Sequence, residues 1–300
     1  MQIGMIGLGK MGLNLVKNMI RNGNEVVAFD LNADNVKLAE EAGAIAATSN
    51  EDLVSKLQAP KTVWIMVPAG KPTDSTVEEL VGLLSEGDYL IDGGNSFYED
   101  SLRHSKIAAE QGINFFDCGT SGGKDGALNG GNFMIGGPSK EAFEHLVPLF
   151  EGISEKDGYL YTGEPGSGHY LKMVHNGIEY GMMEAIGEGY DVLHNSQFEY
   201  DNEAVAKVWS HGSVIRGWLM ELAEEAFAKD ANLDNITGVM HSSGEGKWTI
   251  QEALKLGVPV PVIANSLFVR NYSEADDTFT GKVVSSLRNG FGGHAMDMKK

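Results

Sequence analysis

A chain of 300 residues is long enough for one large or two medium domains and has ample surface to bury in a core. Its composition, 42% hydrophobic and 22% charged, is that of a soluble globular protein, but 42 acidic against 23 basic residues leave a net charge of −19. A field of that sign argues against a nucleic-acid backbone or an anionic membrane as partner, so any anionic ligand must be held by local cations and dipoles. The lone Cys118 excludes an internal disulfide framework and a multi-cysteine metal site, and no metal is expected. Residues 1–12 have no charged lead before their apolar run and do not read as a secretory signal. No stretch reaches the roughly 18 uncharged apolar residues of a membrane span. The expectation is a soluble, cytoplasmic protein.

From residue 1 to about 153 short apolar runs at 2–6, 26–29, 62–67, 89–91 and 113–116 alternate with helix-like stretches at 13–21, 34–41, 74–84 and 100–110. Alternation of that kind predicts a parallel sheet covered by helices on both faces. After about residue 162 the texture becomes helical, with a long proline-free stretch at 167–195 and helical patches at 202–210, 214–228 and 249–256. The division is placed between 1–162 and 163–300, with Gly163-Glu164-Pro165-Gly166 as hinge. The tail 288–300 is Gly-rich and is read as having no helical period. The fold class expected is α/β, a doubly wound sheet followed by a smaller all-α domain.

The first strand runs into Gly7-Leu8-Gly9-Lys10-Met11-Gly12, a G-x-G-x-x-G match. In that pattern the first glycine makes the tight turn, the second admits a pyrophosphate to the backbone, and the third lets helix and strand pack closely. The hexapeptide alone is a weak signal, but its place between strand and helix is the required context for a Rossmann dinucleotide domain. Asp30 ends the second strand 23 residues after Gly7, where a carboxylate accepts the ribose hydroxyls of NAD and repels the extra phosphate of NADP. No arginine follows in Leu31-Asn32-Ala33-Asp34, so NAD is favoured and NADP disfavoured. The loop Val67-Pro68-Ala69 is expected to meet the same cofactor.

Five further segments gather polar residues on glycine-rich or helix-start positions: Asp92-Gly93-Gly94-Asn95-Ser96, Asp117-Cys118-Gly119-Thr120-Ser121-Gly122-Gly123, residues 168–180, Gly244-Glu245-Gly246-Lys247-Trp248-Thr249, and residues 288–294. The third is the most informative. Lys172, His175, Asn176 and Glu179 fall at i, i+3, i+4 and i+7, on one helix face, and mix a base, two hydrogen-bonding groups and an acid. The flanking Met173, Val174 and Ile178 are expected to be buried, making the helix central.

Together these segments resemble the 6-phosphogluconate dehydrogenase family, decarboxylating enzymes of the pentose phosphate pathway and gluconate utilization, within the β-hydroxyacid dehydrogenases. The resemblance covers essentially the whole chain and rests on D-G-G-N-S, K-M-V-H-N-G-I-E-Y-G, G-K-W-T and R-x-x-F-G-G-H as they stand here. It implies Lys172 as the catalytic lysine and Glu179 as the catalytic acid, with His175 and Asn176 holding substrate hydroxyls and carboxylate. It further implies that Asn95, Ser121, Gly122 and Gly123 line the substrate and nicotinamide side. Tyr180, Lys247, Thr249, Arg270 and Arg288 correspond to phosphate ligands. His294 corresponds to a tail histidine that enters, with the tail arginine, from a neighbouring subunit of a homodimer or homotetramer. An exposed lysine has a pKa of about 10.4, so Lys172 must be desolvated or near other cations to act as a base at neutral pH.

Three departures accompany the resemblance. Lys124-Asp125 stands where long members carry an acidic residue after S-G-G, the arginine usual after the second strand is absent, and the chain is much shorter, as in the short bacterial form. Two other readings compete: a dehydrogenase of a small unphosphorylated 3-hydroxy acid, resembling 3-hydroxyisobutyrate dehydrogenase, and a nucleotide-binding sensor without turnover. Lys247, Arg270 and Arg288 speak against the first, and retention of Lys172 with Glu179 against the second. His104, His145, His194, His211 and His241 are read as structural, with His241 set apart by its closeness to Gly244–Lys247.

Overall fold

The protein is described from a computed structural model that covers residues 1–298. Along the first half, β1 (Gln2–Ile6), α1 (Lys10–Arg21), β2 (Glu25–Phe29), α2 (Ala33–Glu41), β3 (Ile45–Ala46), α3 (Asn50–Ser55), β4 (Thr62–Ile65), α4 (Lys71–Leu83), β5 (Tyr89–Asp92), α5 (Tyr98–Glu110) and β6 (Asn114–Ser121) alternate. They are followed by α6 (Gly123–Asn129), β7 (Gly131–Gly136), α7 (Lys140–Glu144), α8 (Val147–Ile153) and β8 (Ser154–Gly163). The strands form one eight-stranded sheet in the order β3-β2-β1-β4-β5-β6-β7-β8. From β3 to β6 every pairing is parallel, as the sequence implies. The pairing of β6 with β7 is antiparallel, and β8 then runs parallel to β7. A run of only Gly122 to Gly130 between β6 and β7 is too short for the crossover a parallel neighbour needs.

Strand residues alternate between two cores because the side-chain period of a strand is two. Ile3 and Met5 join Leu15, Trp64, Phe133 and Phe150 on one face. Ile6, Val27, Val63 and Ile65 join Leu53, Leu80 and Phe115 on the other. Trp64 is fully buried and meets Phe133 edge-on at 6.0 Å between ring centroids. Side-chain caps start several helices: Asn32 accepts from the Asp34 N–H at α2, and Ser139 from the Ala142 N–H at α7.

The remainder is helical: α9 (Ser167–His194), α10 (Asn202–Ser210), α11 (Trp218–Lys229), α12 (Gly244–Leu256), α13 (Pro261–Ser273) and α14 (Phe279–Gly292). No strand occurs after β8 among the described residues. Two compact units emerge, Met1–Asn176 and Gly177–Lys300. Two sequence expectations change. Ile178 is 53% exposed, whereas Met173 is buried and Val174 half-buried. The tail is helical at its start, because the N-cap Thr278 begins a helix that carries Arg288 and ends at the left-handed Gly293. Lys299 and Lys300 of that tail lie outside the described residues.

Candidate active site

The cofactor cradle follows from the glycines. Gly7 has φ +91°, and a Cβ there would lie 2.5 Å from the Met66 carbonyl oxygen. A Cβ on Gly12 would lie 2.0 Å from the Gly7 oxygen, so the third glycine is obligatory for α1 to start here. Gly9 faces open space, as a residue approached by a pyrophosphate must. The first turn of α1 carries neither a capping side chain nor an acidic residue, leaving its N–H groups to an anion. Lys10 is exposed and Met11 half-buried beside them. The Asp30 carboxylate accepts the Leu8 N–H at 2.6 Å and the Asn32 N–H at 2.7 Å, tying the glycine turn to the end of β2. Beyond β4, Val67 is half-buried and Pro68 and Ala69 are exposed. At β5 the buried Asp92 accepts the Gly94 N–H at 3.0 Å and the Ser96 hydroxyl at 2.7 Å, which leaves Asn95 exposed at the tip of its turn. The cradle therefore fits a dinucleotide.

Within the first unit, β6 and the start of α9 gather the polar residues read from sequence. Lys172 is 7% exposed and its Nζ donates to Asn176 Oδ1 at 2.5 Å. His175 Nδ1 lies 2.9 Å from the same oxygen, and Ser121 Oγ lies 3.2 Å from His175 Nε2. An amide oxygen only accepts, so Nδ1 is the nitrogen that donates to it. Gly122, at φ +101°, makes the turn into α6, and Gly123 opens that helix. Lys124 offers its carbonyl to Asn14 at 2.9 Å, and Asp125 accepts from Asn129 at 2.8 Å.

Within the second unit, a separate cluster forms around Tyr180, which is 4% exposed. The Arg270 guanidinium carbon lies 3.7 Å from the Tyr180 ring centroid. Tyr180 Oη accepts the Ser243 N–H at 3.1 Å, and the Ser243 hydroxyl donates to Glu245. Thr249 is buried and donates to the Glu245 carbonyl at 2.9 Å, and a Cβ on Gly177 would strike its side chain at 2.8 Å. Lys247 is exposed and lines a cavity of about 400 Å³ with Ser243, Gln251 and Asn271. Glu179 is half-buried, and Arg288 and His294 are exposed. His241 pairs with Glu274 at 2.8 Å and is 85% exposed, a surface contact. Ser243 and Glu245 were not singled out in the sequence as binding groups; the serine's place just before α12 is the one local signal that could have found it. No group of three or more His, Cys, Asp or Glu among the described residues is placed to hold a metal ion.

Two family patterns account for nearly the whole chain. The NAD binding domain of 6-phosphogluconate dehydrogenase matches residues 2–163, and the 6-phosphogluconate dehydrogenase C-terminal domain matches residues 168–294. The chain belongs to the 6-phosphogluconate dehydrogenase family. A member of this family is an oxidoreductase that binds NAD(P) through its N-terminal domain. The Bacillus subtilis protein YqeC is 54% identical over 299 residues, covering 100% of both chains. The NAD(+)-dependent, decarboxylating 6-phosphogluconate dehydrogenase of Haloferax volcanii is 45% identical over 301 residues, covering 100% of this chain and 99% of its own. The solved Plasmodium falciparum 6-phosphogluconate dehydrogenase, studied with NADP+ and with 6-phosphogluconate, superposes with a TM-score of 0.83 at 30% identity. It covers 100% of this chain but only 67% of its own, so short and long members of the 6-phosphogluconate dehydrogenase family share this fold. No helix among the described residues is long and apolar enough to cross a membrane.

Proposed function

We propose that this family member oxidises and decarboxylates 6-phosphogluconate, giving ribulose 5-phosphate and carbon dioxide, with hydride passing to NAD in preference to NADP. The observation that carries the reading is the buried Lys172 amine held on Asn176, one turn from His175. Burial strips water from the amine, which is what a lysine needs to take a proton near neutral pH.

In this reading, Lys172 takes the proton of the C3 hydroxyl. NAD held by Gly7 to Gly12 would supply the acceptor for the hydride that leaves C3. The product is a β-keto acid, which loses carbon dioxide without a metal ion. Lys172, now protonated, donates to the keto oxygen as negative charge gathers there. Glu179 then protonates the carbon that bore the carboxylate, and the enediol becomes the ketose. His175, Asn176, Asn95, Ser121, Gly122 and Gly123 hold hydroxyls and carboxylate in register. Tyr180, Lys247, Thr249 and Arg270 take the phosphate. A substrate without phosphate would have no use for the extra cations Lys247, Arg270 and Arg288.

For the cofactor, Gly7 to Gly12 take the pyrophosphate, Asp30 the adenosine ribose, and Val67, Pro68, Ala69 and Asn95 the nicotinamide side. Asp30 repels a 2′-phosphate, Leu31 beside it is 96% exposed and apolar, and Asn32 is committed to capping α2. Arg288 and His294 serve a neighbouring copy in a cytoplasmic homo-oligomer. Support comes from α14, where Phe279, Val283, Val284 and Leu287 present an exposed apolar stripe. The test is a spectrophotometric assay of the purified protein with 6-phosphogluconate and either nucleotide. Rapid NADH formation with slower NADPH formation is expected, and no NADH above background would refute the reading.

A further inference from the structure

Asp117 takes no part in the chemistry above, yet its carboxyl is fully buried on β6. Both of its oxygens are engaged at the start of α9: Oδ1 accepts the Gly166 N–H at 2.6 Å, and Oδ2 accepts the His169 N–H at 2.7 Å. Burial pushes this carboxyl above the usual carboxylate range, while the neighbouring His169 and the two backbone donors oppose that rise. A desolvated acid is costly to keep unless its bonds are needed.

The same face of β6 meets α9 twice more. A Cβ on Gly119 would sit 2.3 Å from Lys172 Cβ, so only glycine lets the helix lie this close, and Ser121 bonds His175 at 3.2 Å. Positions 117, 119 and 121 of the strand thus oppose positions 169, 172 and 175 of the helix. The strand face repeats every two residues and the helix face every three to four, so a rotation or slip of α9 breaks all three contacts together.

We infer that Asp117 is a positioning residue: by holding the Gly166 and His169 N–H groups it sets the register of α9 on β6 and so the place of the Lys172 amine. The inference rests on the reading of Lys172 as the base. The test compares wild type and Asp117→Asn with 6-phosphogluconate and with substrate deuterated at C3. The isosteric amide can accept only through one atom. The expected result is a fall in kcat of at least tenfold, a larger deuterium effect on kcat, and an NAD dissociation constant within twofold of wild type. A purely structural role would lower the melting temperature and leave kcat and the isotope effect unmoved; that result overturns the inference. If the Asn variant does not fold, Asp117→Glu decides, because it keeps charge and acceptors but displaces them by one methylene. A wild-type kcat in Asp117→Glu overturns the register role, and a tenfold loss supports it. Wild-type protein that reduces no NAD overturns the functional reading itself, and the inference with it.

Discussion

Arg270 lies with its guanidinium carbon 3.7 Å from the centroid of the Tyr180 ring, and the phenol of that ring accepts the Ser243 N–H. A cation over an aromatic face is held by the ring quadrupole, worth about 0.5–2 kcal/mol depending on desolvation. The ring therefore aims a guanidinium that would otherwise sample many rotamers. Tyr180→Leu removes the platform and the phenol together, whereas Tyr180→Phe keeps the platform. Tyr180→Leu is expected to raise KM for 6-phosphogluconate by about tenfold, the equivalent of roughly 1.4 kcal/mol, and Tyr180→Phe by less. Steady-state kinetics at saturating NAD check this; equal KM values for the two variants would show that the ring does not position Arg270.

Lys172→Met fills much the same volume without an amine. General acid–base groups contribute typically about 10²–10⁴ in rate, so turnover is expected to drop at least about 100-fold. The cofactor cradle at Gly7–Gly12 is built from other residues, so NAD should still quench intrinsic fluorescence with an unchanged midpoint. Near wild-type turnover would remove Lys172 from the role of base.

What the sequence disclosed was what is local. The face of Lys172, His175, Asn176 and Glu179 follows from helical period alone, and the glycine turn with Asp30 from a short motif. The tyings that give those residues their geometry are distant in sequence: Asp117 to Gly166 spans 49 residues, and Tyr180 to Ser243 spans 63. Neither pair leaves a periodic trace. The end of the sheet was hidden for a related reason. The helices α6 and α7 have seven and five residues, too few to show a period, and β7 is rich in glycine. The helix under Arg288 was masked by Gly290, Gly292 and Gly293, which read as irregular chain although the first two sit inside α14.

Asp30 has one task in the structure and a second in the proposed function, and substitution separates them. Its two oxygens hold the N–H groups of Leu8 and Asn32, and in the proposed function its charge meets the cofactor ribose. Asp30→Ala removes both functions, so the ratio of kcat/KM for NAD over NADP is expected to fall by about tenfold or more, and thermal stability is expected to fall with it. A buried donor left without its acceptor costs about 1–3 kcal/mol. Asp30→Asn removes the charge but keeps one accepting oxygen, so it should narrow the cofactor ratio with the smaller loss of stability. An unchanged ratio in both variants would show that Asp30 does not set the preference.

Acid stability offers a test away from the site. The Arg103 guanidinium at 2.8 Å, and then His104 at 2.9 Å, hold the Asp74 carboxyl below its ordinary 3.8, against a smaller opposing effect of burial. A carboxyl with a depressed folded pKa stabilises fully above the unfolded value and loses that contribution as pH falls through the folded one. The window therefore opens at about 3.8 and extends downward. Arg103 and Asp74 are 44% and 31% exposed, so solvent screening keeps the contribution to about 1 kcal/mol or less. Asp74→Asn is expected to melt roughly 2 °C below wild type at pH 7, and the gap should close as pH is lowered past 3.8. Melting curves at pH 7, 4 and 3 measure the gap; one that widens toward acid would mean that the carboxylate destabilises the fold and that His104 and Arg103 are held by other groups.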